Sequence, residues 1–374
     1  MGIRQDRLRD LFLDLVRIDS LSRREGAIAA RLARELEALD ASVQFDDAGT
    51  AIGGEVGNLI AQVDGAAGAP PLLLCAHMDT VEPGAGVQPV VEGDVIRSDG
   101  RTVLGGDDKS GVAIVLECLR ACREDGLPHP PIDVVFTICE EQGLLGARHL
   151  DLTRLRARRG LVFDSDATGF VFTRAPGSTA IEVLVRGRAA HAGMAPERGV
   201  SAIRVAAEAI AAMRLGRIDE ETTANLGTIS GGRAINIVPD EVRLRGEARS
   251  HDAAKLAAQL AHMRACFEDA ARRHEGAVAE VRLEPMYEPM SVDDGAPIMR
   301  LLVAAAERAG RPIASAGMGG GCDANILNQR GLEVVNLGTG MRDIHTTGEW
   351  LKVSDMVAAA EVTLALIVLA ATAS

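Results

Sequence analysis

His77 and Asp79 close the run "LLLCAHMD", an imidazole and a carboxylate two positions apart. Residues i and i+2 of a strand share a face, so the pair would sit side by side where an apolar strand ends. The same mixture recurs along the chain. Asp107 and Asp108 precede a helix beginning near Ser110, Glu140 and Glu141 end "IDVVFTICEE", Asp164 ends "GLVFD", and His345 follows "VVNLGTG". Gathered in one place, these carboxylates would repel: a like-charge pair at ~4 Å costs about 4 kcal/mol at a typical effective dielectric. Either some stay protonated or a cation neutralises them. Two histidines among oxygen donors favour a borderline metal such as zinc over magnesium or calcium, which take all-oxygen shells. Two metals bridged by one carboxylate would use such a set economically.

Taken singly, each motif has a plainer explanation. "HMD" fits a surface strand end, "CEEQG" a solvated helix start with Glu at the positive end of the dipole, and "GGG" at 319–321 a tight turn. "LGGDDKSG" is no phosphate loop, because Asp108 stands where the glycine before Lys-Ser is needed.

The elements that must position these residues alternate. Residues 6–18 and 26–39 carry apolar positions at helical spacing; "NLIAQVD" and "PLLLCAHMD" have strand character, "GVAIVLECLRACRED" is helical, and "IDVVFTICEE" is a strand. "LGARHLDL" is a short helix and "GLVFDSD" a further strand. Strands apolar on both faces and separated by helices imply an α/β domain, its mixed and mainly parallel sheet covered on both sides. Ligands of such sheets bind outside the carboxyl ends of the strands, where this chain concentrates its acids and imidazoles. After about residue 176 the texture changes. Strands at "STAIEVLVRGRAA", "TTANLGTI", "INIVPD", "EVRLRGEARS" and "AVAEVRLEPM", with helices at 200–215 and 252–274, predict a compact α+β insert of β-α-β-β-α-β, ferredoxin-like order. The expected division is a discontinuous domain, 1–176 and 286–374, interrupted by 177–285.

A chain of 374 residues is long for one core, which agrees with two domains. With only 2% aromatic residues, the cores must be filled by Ala, Leu, Val and Ile. A net charge of −13 argues against a nucleic-acid binder, which needs a basic face for phosphates. The six cysteines form no CxxC pair, so reduced, buried thiols and a cytoplasmic location are expected. The opening "MGIRQDRLRDLF" lacks the apolar core of a secretory signal. Met356–Thr372, "MVAAAEVTLALIVLAAT", is Ala-rich, short for a span and broken by Glu361, so a buried terminal helix rather than a membrane segment is expected.

"AHMDTV", "GGDDKSG", "ICEEQGLLGA", "VFDSD", "GRAAHAG", "INIVPD", "EARSHD" and "GGGCDANIL…HTTGE" follow one another in an order that resembles the dinuclear zinc metallopeptidases around peptidase T. Glutamate carboxypeptidase, acetylornithine deacetylase and succinyl-diaminopimelate desuccinylase belong to the same family. The "DDKSG" form is most similar to the peptidase T, or tripeptide aminopeptidase, branch. The resemblance implies a zinc-exopeptidase-type catalytic domain, a lid and dimerisation domain at 177–285, and two divalent metals, zinc or else cobalt or manganese. His77 and Asp164 would hold one metal and Glu141 and His345 the other, with Asp107 bridging. Asp79 would orient the His77 ring. Glu140 would be the general base toward a metal-bridging water, a role suited to one of two adjacent glutamates that point different ways. His191 resembles a histidine that stabilises the oxyanion across a dimer interface, and Asn236 and Arg249 resemble groups that hold a substrate carboxylate or carbonyl.

Some positions stay open. His191 on its glycine-flanked turn could simply cap backbone groups, and Arg249 could be an exposed strand end. Asp166, two positions beyond Asp164, is a rival ligand. Cys322 stands where a small hydroxyl residue is expected. Histidines 129, 149, 251, 262 and 274 are surface or structural. The expected activity is hydrolysis of an amide bond in a small peptide, releasing the N-terminal residue. An N-acyl-amino-acid deacylase or carboxypeptidase with the same metals is the near alternative, and an idle metal- or peptide-binding protein the distant one.

Overall fold

The computed structural model describes residues 2–372. The chain divides into two compact units. The first runs up to Thr173 and takes in Ser291–Met318 and the residues from Cys322 on; the second is Arg174–Met290 with Gly319–Gly321.

The first unit is built on a nine-stranded mixed sheet. At its centre Leu72–His77 is buried at every position, the signature of a strand covered on both faces. It pairs in parallel with Ile132–Thr137, His77 opposite Thr137, and with Arg159–Val162, Cys75 opposite Val162. Glu333–Leu337 extends the parallel set, Asn336 opposite Val162. Antiparallel Leu59–Val63 and Ser42–Phe45 finish one edge. Phe170–Ala175 and Met290–Ser291, at the junctions between the units, finish the other, with Ala314–Gly317 beside Phe170–Ala175. Four neighbouring parallel strands thus end side by side, with His77 closing one and Glu140, Glu141 and Asp164 just beyond the ends of two others.

Helix Gly106–Asp125 packs on Leu72–His77 and against helices Gln5–Val16 and Val353–Ala370. Its start sits hard against the neighbouring strand end. A Cβ on Gly111 would lie 2.7 Å from the Phe163 carbonyl oxygen, so no larger residue fits beside Asp164. Val353–Ala370 is, among the described residues, the helix long and apolar enough to cross a membrane. It packs on helix Pro297–Ala309 as well, with Met356, Ala360, Leu366 and Ile367 fully buried. All six cysteines are free and buried.

A separate three-stranded sheet, Val90–Glu92, Val95–Arg97 and Trp350–Lys352, carries no pattern that sequence periodicity detects. Its strands are three residues long.

The second unit holds four ten-residue antiparallel strands in the order Thr222–Gly231, Glu241–Ser250, Gly177–Arg186, Val278–Tyr287, with the two-residue Gly216–Arg217 beyond the first. Helices Ala202–Ala212 and Ala253–Arg272 pack on it. Ile181, Val183 and Val185 alternate into their core with Val205, Leu244, Met263 and Phe267. This is the ferredoxin-like arrangement. "INIVPD" is not a strand as expected: it makes an isolated bridge, Ile237 to His191, and Ile235 is fully exposed. Gly232 (φ +80°) ends the preceding strand and Pro239 lacks a donor, which leaves too few residues to pair. The strand Val278–Tyr287 runs past 285, and Pro289 lies against Gly177, so this unit closes later than the composition suggested.

Candidate metal centre

The His77 ring is held from both sides. Nδ1 lies 2.9 Å from the main-chain oxygen of Asp79, which can only accept, so Nδ1 carries the proton and Nε2 faces Asp107 Oδ1, also at 2.9 Å. The Asp79 carboxylate lies farther from the ring, 3.4 Å from Nδ1. Fully buried, it turns to the main chain of the glutamate pair. Oδ1 accepts the N–H of Glu140 at 2.9 Å, and Oδ2 accepts that of Glu141 at 3.3 Å and the Ser22 hydroxyl at 2.6 Å.

Asp107 and Asp108 interrupt the start of their helix with non-helical backbone and are joined by a cis peptide bond. They diverge in task. Asp108 is fully buried and structural, accepting the N–H of His77 at 3.2 Å and of Gly111 at 3.1 Å. Asp107 points to both imidazoles: Oδ1 to His77, and Oδ2 to His345 Nε2 at 3.2 Å. His345 Nε2 also meets Glu141 Oε1 at 2.9 Å. Asn336 fixes Asp164 through its main chain, accepting its N–H at 2.8 Å and donating to its carbonyl at 2.5 Å.

Side-chain donor atoms of His77, Asp107 and Asp164 all lie within 4.8 Å of one another, and so do those of Asp107, Glu141 and His345. Asp107 belongs to both sets. Glu140 forms a third such group with His77 and Glu141, so proximity alone leaves it close enough to bind as well. Asp166 is exposed and joins none of them.

The electrostatics call for a cation. Burial, and then the charge of Asp164, pushes Glu140 well above the carboxylate range. Burial and then Asp107 do the same to Asp164, and Glu141 is raised by the same two causes. Burial disfavours a charged His77, yet its hydrogen bonds to Asp107 and Asp79 prevail and hold it well above its ordinary value. Asp107, despite burial, stands well below its own because His345 and His77 hold it. His345, half-exposed, is pushed up to about 10 by Asp107 and then Glu141. Raised carboxyls and imidazoles packed together are what a site for divalent cations shows when protons stand in for the ions, and the imidazole–carboxylate donor set suits zinc.

Comparison with known proteins decides the family. A model described as "Peptidase dimerisation domain" matches residues 173–275, and one described as "Peptidase family M28" matches 58–193. The YqjE protein of Bacillus subtilis is 41% identical over 98% of both chains. The structure of the aminopeptidase PepT from Bacillus cereus is 40% identical, covers 99% of this chain and 100% of its own, and superposes with a TM-score of 0.90. That of a tripeptidase from Staphylococcus aureus is 38% identical over the full length of both, with a TM-score of 0.95. The chain belongs to the peptidase T-like metallopeptidases. It is a metal-dependent hydrolase with the fold of that family.

In this peptidase T-like chain, His191, Asn236 and Arg249 belong to the second unit, whereas the donor cluster belongs to the first. His191 Nδ1 accepts the N–H groups of Gly193 and Met194 at 3.2 and 3.1 Å, which assigns its proton to Nε2. The turn-capping reading is thus met by Nδ1, and Nε2 takes no part in the cap. Asn236 accepts the Ala192 N–H through its main chain and is exposed. Arg249 forms a two-point contact with Glu247, Nε and Nη2 each at 3.0 Å.

Sequence reasoning missed the supports. Glu25, fully buried, accepts the N–H groups of Arg23 and Cys139 at 2.9 and 3.0 Å, fixing the residue before Glu140. Asp323 accepts the Thr137 hydroxyl at 2.5 Å. An acid soon after a Ser-rich turn is too common a pattern to have singled out Glu25.

Proposed function

We propose that this chain is a dinuclear zinc aminopeptidase that removes the N-terminal residue from short peptides, tripeptides foremost. The observation that carries the metal reading is Asp107, shared by two donor sets that each contain one histidine. The full-length likeness to an aminopeptidase and a tripeptidase supports the substrate class.

His77 and Asp164 would hold one ion and Glu141 and His345 the other, with Asp107 common to both. Bound there, two divalent ions would lower the pKa of water and polarise a carbonyl. Glu140 takes the proton from the attacking water; as the water oxygen bonds the carbonyl carbon and the C–N bond breaks, that proton passes to the leaving nitrogen. Asp79 aims both His77 and the Glu140 main chain. By the family resemblance, Nε2–H of His191 would donate to the developing oxyanion, and Asn236 and Arg249 would hold a substrate carboxylate or carbonyl. Zinc fits the donors best, with cobalt or manganese as workable substitutes. The match to a peptidase dimerisation domain supports a homodimer formed through the second unit. The free, buried cysteines accord with a cytoplasmic protein.

Zinc-loaded protein assayed on free di- and tripeptides tests this reading. Hydrolysis that a chelator abolishes and zinc restores is expected; hydrolysis untouched by metal removal overturns it.

A further inference from the structure

Beside the donor cluster lies a buried carboxylate with no place in either set. Glu349 is 1% exposed, and its oxygens accept the main-chain N–H groups of Leu104 at 2.6 Å, Gly105 at 2.9 Å and Asp107 at 3.1 Å. Its own main chain is fixed twice, its carbonyl accepting the Ser98 N–H at 2.9 Å and its N–H donating to Thr346 at 3.2 Å. The next residues, Trp350–Lys352, pair antiparallel with Val95–Arg97.

Glu349 thereby joins segments 242 residues apart. One is the turn that carries His345, and the other is the loop that carries Asp107. Their side chains meet at Nε2···Oδ2, 3.2 Å. Gly106 permits the approach: a Cβ there would lie 3.0 Å from Glu349 Oε1 and 3.2 Å from Leu351. A carboxyl oxygen pair shared among three buried N–H groups cannot be lost without leaving those donors unpaired. The small three-stranded sheet gains a purpose as the platform for this link.

We propose that Glu349 is a positioning residue of the metal centre, clamping the Asp107 main chain to the His345 turn so that one Asp107 carboxylate can serve both donor sets. This rests on the metal reading of the cluster. Groups that orient metal ligands typically govern 10–100-fold in affinity or activity.

The test is zinc titration of the full chain against a chromophoric chelator, alongside steady-state kinetics. For Glu349→Gln, zinc affinity and kcat should each fall roughly 10–100-fold, with KM little changed. Gly106→Ala displaces the carboxylate without altering its charge and should weaken zinc in the same direction; it decides alone if Glu349→Gln does not fold. Asp94→Ala is the control, because Asp94 holds Ser354 at the far side of the same small sheet and touches neither ligand. Wild-type affinity in both test variants overturns the proposal, as does an equal loss in Asp94→Ala, which would tie affinity to sheet stability instead. Wild-type protein that binds no zinc sinks the metal reading itself, so the two failures are distinct.

Discussion

Asp79 Oδ1 accepts the main-chain N–H of Glu140 at 2.9 Å, while the main-chain oxygen of Asp79 takes the Nδ1 proton of His77 at the same distance. One residue at a strand end therefore sets the aim of a metal donor and of the proposed base. In Asp79→Asn an amide replaces an acceptor-only group facing two N–H donors. Activity should fall about 10–100-fold with metal content unchanged. Kinetics with metal analysis on one sample would show it; an unaltered kcat would mean the contact does not matter to catalysis.

Glu140 and His77 should separate base from ligand. Glu140→Ala is expected to lose roughly 10²–10⁴-fold in kcat while keeping its metal. His77→Ala should lose metal as well as turnover. Metal loss in the glutamate variant would move Glu140 into the donor shell, where its place near His77 and Glu141 would allow it to bind.

The strand ends were legible because a buried parallel strand is a continuous apolar run, and Leu72–His77 shows it at every position. Parallel pairing then puts His77, Glu140 and Asp164 on one edge without further information. The partner of the His77 ring was not legible. Spacing suggested the Asp79 carboxylate, but the main-chain oxygen lies closer, and the side chain is drawn to unpaired N–H groups of the next strand's end. What holds the His345 turn in place was hidden for another reason. It hangs from three-residue strands, and Glu349 acts through backbone contacts that leave no periodic trace.

Cation binding should release protons. In chain stripped by a chelator, Asp107 and Glu141 raise His345 to about 10, above its ordinary 6.5. Stabilisation from that pairing is full below pH ~6.5 and fades as pH rises through about 10. A cation needs the neutral ring, so zinc affinity should run the other way and rise with pH. Calorimetry in buffers of different ionisation heat would measure the release near pH 7; none released would contradict the assigned pairing.

Leu74 lies fully buried in the strand that ends at His77. Leu74→Ala should cost about 2–5 kcal/mol of stability through the cavity it leaves. Urea unfolding of the chelator-treated protein is the measurement, since bound metal would mask part of the loss. A change below about 1 kcal/mol, well short of the usual range, would place this strand outside the stable core.

The most direct measurement sets one free tripeptide against its N-acetylated form, each incubated with zinc-loaded protein and the products separated. The account predicts a free N-terminal amino acid and a dipeptide from the first, and no cleavage of the second. Cleavage of the N-acetylated form with the free tripeptide left intact would contradict it.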